Sequence, residues 1–236
     1  MQAVIIGSTG GIGSALTAQL AERDTVDAVH AVSRTGAGGG GKVVAHRADL
    51  FDEDSLEDLA NAIKAHGAPS LVIVATGLLS DGALQPEKSF RQQSLDAFEQ
   101  VFRVNTFAPA LLAKHMIPIM PRKERAVFAA LSARVGSISD NGIGGWHAYR
   151  ASKAALNMLI QNYAIEQARR SDAFICVGLH PGTVDTGLSK PFQSNVPDKK
   201  LFSPDQSAAY LLSVIDGLDP SDSGKVFDWA GKVIPA

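Results

Sequence analysis

The 236-residue chain has one cysteine, Cys176. A single thiol excludes a disulfide framework and a cysteine-rich zinc site, so Cys176 is expected to be a small buried apolar residue. The six histidines show no metal-ligand spacing such as His-Glu-x-x-His, and no metal is expected. Charge of either sign is not in excess: the net charge is −2, which gives no electrostatic reason to expect nucleic acid or an acidic membrane as partner. No apolar run approaches the ~18 residues of a membrane span. A basic start is also lacking, and Gly7 interrupts the first apolar run at once, so a cytoplasmic protein without a signal peptide is expected.

What is present is apolar content of 45% with 19% charged residues, which excludes a disordered chain. The length is enough to bury a core without staples, and residues 1–236 are expected to form one domain. Short apolar runs alternate with helical patterns. Strands are predicted over Ala3–Ile6, Val26–Ser33, Val43–His46, Leu71–Ala75, Val127–Leu131, Phe174–Leu179 and Lys225–Asp228. Helices are predicted over Ile12–Arg23, Asp54–His66, Leu95–Met120, Tyr149–Arg170 and Ser207–Asp216, the third bent by Pro109 and ended by Pro118 and Pro121. Strands that are apolar along their whole length suit a parallel sheet covered on both faces. The expected class is therefore α/β: a doubly wound Rossmann fold, with a parallel sheet of about seven strands and helices on both faces. The run from Gly36 to Gly41 stands where a helix would return, and Ser189–Ser203 is polar and loop-like.

Gly7-Ser8-Thr9-Gly10-Gly11-Ile12-Gly13 joins the first strand to the first helix. Glycine there lets the backbone turn sharply and approach a ligand, and a helix N-terminus suits a diphosphate. No Gly-Lys-Ser/Thr follows, which excludes a nucleoside-triphosphatase phosphate loop. An acidic residue about 20 positions on would bind a free ribose 2′-hydroxyl. Ser33 and Arg34 stand there instead. Arg34 can stack on adenine and pair with a 2′-phosphate, so NADP(H) is favoured over NAD(H).

Of three tyrosines, only Tyr149 has a lysine four residues later, Lys153. The two share a helical face, and an ammonium beside a phenol is expected to lower the phenol's pKa and fit it for proton exchange.

With these residues in view, the sequence resembles the short-chain dehydrogenase/reductase family of single-domain type, over essentially the whole chain. Gly7, Gly11 and Gly13 match its glycine turn, with Ser8 and Ile12 inside it. Asp49-Leu50 matches an adenine contact, and Ala75-Thr76-Gly77 the segment after the fourth strand. Asn105 matches a helix asparagine that holds a proton-relay water, and Tyr149 and Lys153 match the catalytic pair. Pro181, Gly182, Val184 and Thr186 match the segment beside the nicotinamide. Within the family the likeness is to C-factor-like and sniffer-type carbonyl reductases, carried by Ser132-Ala133-Arg134-Val135-Gly136-Ser137-Ile138 and by Tyr149-Arg150-Ala151-Ser152-Lys153.

The chain departs from the family pattern in three places. Ile6 replaces a common threonine. Val74-Ala75-Thr76-Gly77 replaces Asn-Asn-Ala-Gly. Counting back from Gly136 places Ala133 at the catalytic serine of Ser-Ser-x-x-Gly. Ser132 then serves only if the strand end bends, and Ser137 is a second candidate. Trp146 and His147 either line the substrate mouth or pack a loop. Phe192 and Phe202 either cap an apolar substrate or pack on the core or a partner chain, and His180 reads as structural.

The resemblance implies hydride transfer between NADP(H) and a small-molecule carbonyl or secondary alcohol. It also implies a homo-oligomer, with Tyr149 as general acid/base. A cofactor-binding signalling or regulatory protein with weak or no turnover is the alternative, motivated by Ala133.

Overall fold

The computed structural model describes residues 1–195 and 201–236, so residues 196–200 of the polar Ser189–Ser203 stretch lie outside the described residues. In chain order the elements are β1 (Gln2–Ile6), α1 (Gly11–Glu22), β2 (Ala28–Ser33), β3 (Val43–Arg47), α2 (Glu53–His66) and β4 (Leu71–Val74). They continue with α3 (Leu95–Phe102), α4 (Ala108–Met116), β5 (Ala126–Leu131), α5 (His147–Ala168), β6 (Phe174–His180) and β7 (Thr183–Val184). The last are β8 (Leu201–Phe202), α6 (Pro204–Gly217), β9 (Val226–Asp228) and β10 (Val233–Ile234).

Eight strands form one sheet in the order β10-β9-β6-β5-β4-β1-β2-β3, parallel except for the β9–β10 edge pair. The expectation was about seven strands. The eighth is a two-residue antiparallel edge, too short to carry an apolar period. β7 and β8 pair in a separate two-stranded ribbon.

The pleat sends alternate residues of each strand to opposite layers. Val4, Ile6, Val32 and Val74 pack under α2, α4 and α5 against Leu56, Ile63, Leu112, Met116, Leu156 and Ile160. Ala3, Ile5, Val29 and Ile73 pack under α1 and α6 against Leu16, Leu20, Leu211 and Ile215. Each of the larger of these side chains (Val, Leu, Ile, Met) contributes roughly 1.5–3 kcal/mol when fully buried, which is why strands apolar along their whole length tolerate no solvent face. Cys176 lies fully buried and unpaired in the first of these layers.

β1 lies between β2 and β4, so the chain winds outward in one direction and then returns to the other side of β1. That reversal opens a crevice at the carboxyl ends of β1 and β4. The Ala75 amide bonds to the Ile6 carbonyl at 2.8 Å, which sets Gly7 and Thr76 side by side at the crevice. No helix joins β2 to β3. Residues 34–42 turn instead through Gly36, Gly38, Gly40 and Gly41, all at positive φ, as expected of the glycine run.

The long helix predicted over Leu95–Met120 is interrupted. α3 passes into a π-helical turn over Arg103–Phe107 before α4, and a short 3-10 turn over Ile117–Ile119 follows. Pro109 has no N–H to donate to the Asn105 carbonyl four residues earlier, so the ladder cannot run on as a plain α-helix there. The wide turn sits at a site residue, where such bulges are often found.

An imidazole cluster occupies the far side of the sheet. His30 is fully buried on β2; its Nδ1 lies 2.8 Å from His46 Nε2 and its Nε2 lies 3.1 Å from Gln2 Oε1. The His66 ring centroid is 5.2 Å away. Burial, with added repulsion from His46 and His66, pulls the His30 pKa down from 6.5 to about 4, and burial also lowers that of His46. The fold holds His30 neutral while the unfolded chain takes up a proton near pH 6.5. The stability from this group is therefore complete above pH 6.5 and is lost as pH falls from 6.5 towards 4. Urea unfolding midpoints measured between pH 7 and pH 4 should fall with that profile. His30→Gln should flatten it, and an unchanged slope in the variant would show that the loss comes from elsewhere.

Candidate active site

At the carboxyl end of β1 the backbone of Gly7 takes φ +88°. The Gly7 and Ser8 amides both donate to the Val32 carbonyl, at 2.9 and 3.1 Å, and the Ser8 hydroxyl donates to the same oxygen. A Cβ on Gly13 would lie 2.2 Å from the Gly7 carbonyl oxygen, so only glycine lets α1 start this close to the turn. Gly11 opens α1, and no side chain caps it at Gly10. The first N–H groups of α1, including that of Ile12, are thus without a capping side chain at the crevice, which fits a diphosphate. The Thr186 methyl covers Gly11 from above, where an added Cβ would meet it at 2.8 Å.

Ser33 is buried at the end of β2, and its Oγ accepts the Gly36 amide at 3.0 Å. Arg34 is exposed beside it. Asp49 turns the chain after β3 by accepting the Phe51 amide at 3.0 Å, while Leu50 packs against the core. On the other lip, Ala75 packs against the core at the end of β4, and the Thr76 hydroxyl is buried without a partner. Gly77 lies close to two of the candidate site residues: a Cβ there would lie 3.8 Å from Asn105 Oδ1 and 4.0 Å from Lys153 Nζ. The unpartnered Thr76 oxygen and the glycine-only cradle both fit an extended dinucleotide laid across the crevice.

Asn105 is fully buried in the π turn. Its amide oxygen accepts the Leu78 N–H at 2.8 Å, and its amide nitrogen donates to the Leu78 carbonyl and, at 3.1 Å, to the Ser152 hydroxyl. Asn105 thereby ties the cofactor lip to α5. Lys153, 2% exposed, donates from Nζ to the Leu131 carbonyl at 2.7 Å, and Nζ lies 5.8 Å from the Tyr149 ring centre. The structure thus brings Gly77, Asn105, Tyr149 and Lys153 together.

The electrostatics differ from the expectation that Lys153 would lower the Tyr149 pKa. Burial raises the phenol to about 12 and pulls the Lys153 ammonium down to about 7. Desolvation outweighs attraction here because a lysine that is itself half neutral near pH 7 exerts little field on the phenol.

Ser132 is 3% exposed, and its hydroxyl donates to Asn157 Oδ1 on α5 at 2.6 Å. That proton is committed to the helix rather than free for a substrate oxygen. The Ser137 oxygen accepts the Asp140 amide at 3.1 Å. The Ser132 O–H is therefore used within the structure, whereas Ser137 accepts a bond and keeps its own O–H to donate.

After β6, Gly182 at φ +79° lies against the Phe202 ring, and the Pro181 carbonyl accepts the Ser207 hydroxyl at 2.9 Å. Val184 is buried, and Thr186 turns back over the glycine loop. Phe202 packs with Trp229 and Tyr210, taking its core role, while Phe192 stands 5.2 Å from Trp146. His180 is partly exposed as a residue but has a buried, unpartnered Nδ1, and burial draws its pKa down to about 4.

Glu87 is a residue that sequence reasoning missed. It is 4% exposed, and both carboxylate oxygens accept the Ala148 amide at 3.3 Å, at the N-terminus of α5. Its backbone carbonyl accepts the Trp146 N–H, holding Trp146 at φ +50° just before the helix. A negative charge at a helix N-terminus is favourable, and the left-handed turn at a bulky residue is held by these bonds. A lone glutamate in a loop carries no spacing signal, since its helix lies about 60 residues away.

The sequence profile described as short chain dehydrogenase matches residues 1–197. The chain belongs to the short-chain dehydrogenase family. It is an NAD(P)-dependent oxidoreductase. Among its relatives, C-signal of Myxococcus xanthus is 37% identical over 136 residues, covering 58% of this chain and 76% of that protein. The 1-hydroxy-2-glutathionyl-2-methyl-3-butene dehydrogenase of Rhodococcus sp. (strain AD45) is 29% identical, covering 94% of this chain and 93% of its own. In structure, an NADPH-bound carbonyl reductase from chicken fatty liver superposes with a TM-score of 0.86 at 25% identity, over 100% of this chain and 98% of that one. Among the described residues, no helix of this short-chain dehydrogenase is long and apolar enough to cross a membrane, and no group of three or more metal-ligating side chains is assembled.

Because Glu87 anchors the helix that carries Tyr149, Glu87→Ala should lower the melting temperature by the equivalent of about 1 kcal/mol. It should also reduce turnover without weakening cofactor binding. Glu87→Gln, which keeps an acceptor, should recover part of both. Differential scanning fluorimetry and cofactor titration read the two effects separately.

Proposed function

We propose that this short-chain dehydrogenase is an NADPH-dependent carbonyl reductase in which Tyr149 delivers the proton. The single observation that carries this reading is the half-buried Tyr149 beside the buried Lys153, linked through Ser152 and Asn105 to Leu78 on the lip of a glycine-cradled crevice. When bound, the nicotinamide supplies the hydride. Gly7, Gly11 and Gly13 leave room for the diphosphate, and Ser8 braces the turn from Val32. Asp49 and Leu50 flank the adenine, and Thr76 offers its unpartnered hydroxyl inside the crevice. Val184 and Thr186 close over the nicotinamide end, held by Pro181 and Gly182.

Burial raises the Tyr149 phenol to about 12, so it holds its proton at neutral pH yet remains a stronger acid than the alcohol that reduction forms, and can protonate it. Lys153, fixed on the Leu131 carbonyl, orients the nicotinamide ribose and passes protons through the Asn105 region. The alternative, a binding protein without turnover, finds support only in Ala133, whereas the intact Asn105, Tyr149 and Lys153 support catalysis.

Tyr149→Phe removes the donor and keeps the ring. Turnover with NADPH and a carbonyl substrate should fall by roughly 10²–10⁴-fold while NADPH binding stays within a factor of about three. Full activity in this variant would refute the proton-transfer role.

The NADP(H) preference rests on Arg34 at the end of β2, exposed and with no carboxylate at Ser33 to repel a phosphate. Arg34→Ala should weaken NADPH binding about tenfold and leave NADH binding unchanged, by fluorescence titration. Tighter NADH than NADPH binding in the unaltered protein would overturn the preference.

A further inference from the structure

The end of β3 brings a second guanidinium beside Arg34, on the side of the crevice where Asp49 and Leu50 stand. Ser33 pairs with Arg47 across the parallel ladder, and the Ala48 amide donates to the Ser33 carbonyl at 3.1 Å. Paired residues of neighbouring strands, about 4.8 Å apart, send their side chains to the same face of the sheet. That face is the α1 and α6 layer, where Val29 and Val43, paired four residues earlier on the same two strands, both pack.

Where a helix would cover this face, the glycine run covers it with backbone. Gly36, at φ +67°, lies on Arg47: a Cβ there would stand 3.2 Å from Arg47 Cβ, and one on Gly39 would stand 3.4 Å from Ala45 Cβ. Ser33 Oγ accepts the Gly36 amide at 3.0 Å, which keeps the turn folded back onto β3. Arg34 and Arg47 are both exposed, one next to Ser33 along the chain and the other beside it across the ladder. Arg23, Arg134 and Arg170 each pair with a carboxylate; among the described residues, Arg34 and Arg47 do not.

A phosphate monoester carries about −1.5 to −2 charge at pH 7 and three acceptor oxygens, more than one guanidinium fork engages. We infer that Arg47 is a second specificity-determining residue for the cofactor, bracketing the 2′-phosphate of NADP(H) together with Arg34. The glycine run, by standing in for a helix, keeps Arg47 open to that phosphate. The inference rests on the NADP(H) preference proposed above and deepens it from one residue on a turn to a pair. The backbone of Arg47 is held by the ladder before any ligand arrives, so less ordering is needed on binding.

Fluorescence titration of NADPH and NADH against the full-length protein, Arg34→Ala, Arg47→Ala and the double variant tests this. Arg47→Ala should weaken NADPH binding about tenfold and leave NADH within about twofold, and the double variant should lose about 10²-fold for NADPH. Arg47→Lys, which keeps the charge and loses the fork, should fall between the unaltered protein and Arg47→Ala. NADPH affinity of Arg47→Ala within about twofold of the unaltered protein would overturn the inference. An equal loss for both cofactors would also overturn it, by making Arg47 an adenine contact or a brace of the strand end. Tighter NADH than NADPH binding in the unaltered protein would instead overturn the NADP(H) preference itself. A second readout needs no nicotinamide. Adenosine 2′,5′-bisphosphate should raise the melting temperature of the unaltered protein more than adenosine 5′-monophosphate does, and Arg47→Ala should erase most of that difference. A difference of the same size in the variant would refute the role of Arg47.

Discussion

The site depends on the burial of Lys153. Its ammonium, 2% exposed, has the Leu131 carbonyl as a fixed partner at 2.7 Å. An ammonium in an apolar layer is costly unless it is bonded, and the protein lowers that cost by letting the lysine approach neutrality. The same bond fastens α5 to the end of β5. Gly136 sharpens the fit, since a Cβ there would lie 2.7 Å from Lys153 Cβ. Tyr149, one turn earlier on α5, is therefore placed by a strand and not by its own loop.

Around this bond the polar groups form a chain from one lip of the crevice to the other. Ser152 donates to the Tyr149 carbonyl and accepts from Asn105, and Asn105 clamps both backbone groups of Leu78. Thr106 adds a bond to the Ser152 carbonyl at 2.9 Å. Networks of this kind stabilise only when every member is satisfied. The Thr76 hydroxyl and His180 Nδ1 stand outside it, buried and unpartnered. Thr76 lies on the cofactor side, where a bound dinucleotide can satisfy it.

Much of this was legible in the residues themselves. The periods of the apolar runs placed each long strand and helix within a few residues of its observed bounds. The glycine turn and the Tyr149-to-Lys153 spacing marked the two ends of the candidate site, because φ > 0, close backbone approach and a shared helical face are local requirements. The breaks were less legible. The π turn around Asn105 follows from Pro109 and from the pull of Leu78, a contact spanning 27 residues. Glu87, capping a helix about 60 positions away, left no local trace.

By itself the sequence determined the layered α/β fold, the glycine turn and the candidate proton donor, since each is encoded by spacing within one element or one turn. Only the tertiary structure decided what surrounds that donor. Burial, in the cluster that Leu84, Ala97, Val101 and Ala148 form around it, raised the phenol where a neighbouring ammonium alone would have lowered it. The direction of a strand-end side chain was set by Asn157 across the layer, which accepts the Ser132 hydroxyl. Desolvation and side-chain direction depend on what packs from outside the segment, and no spacing along the chain records them.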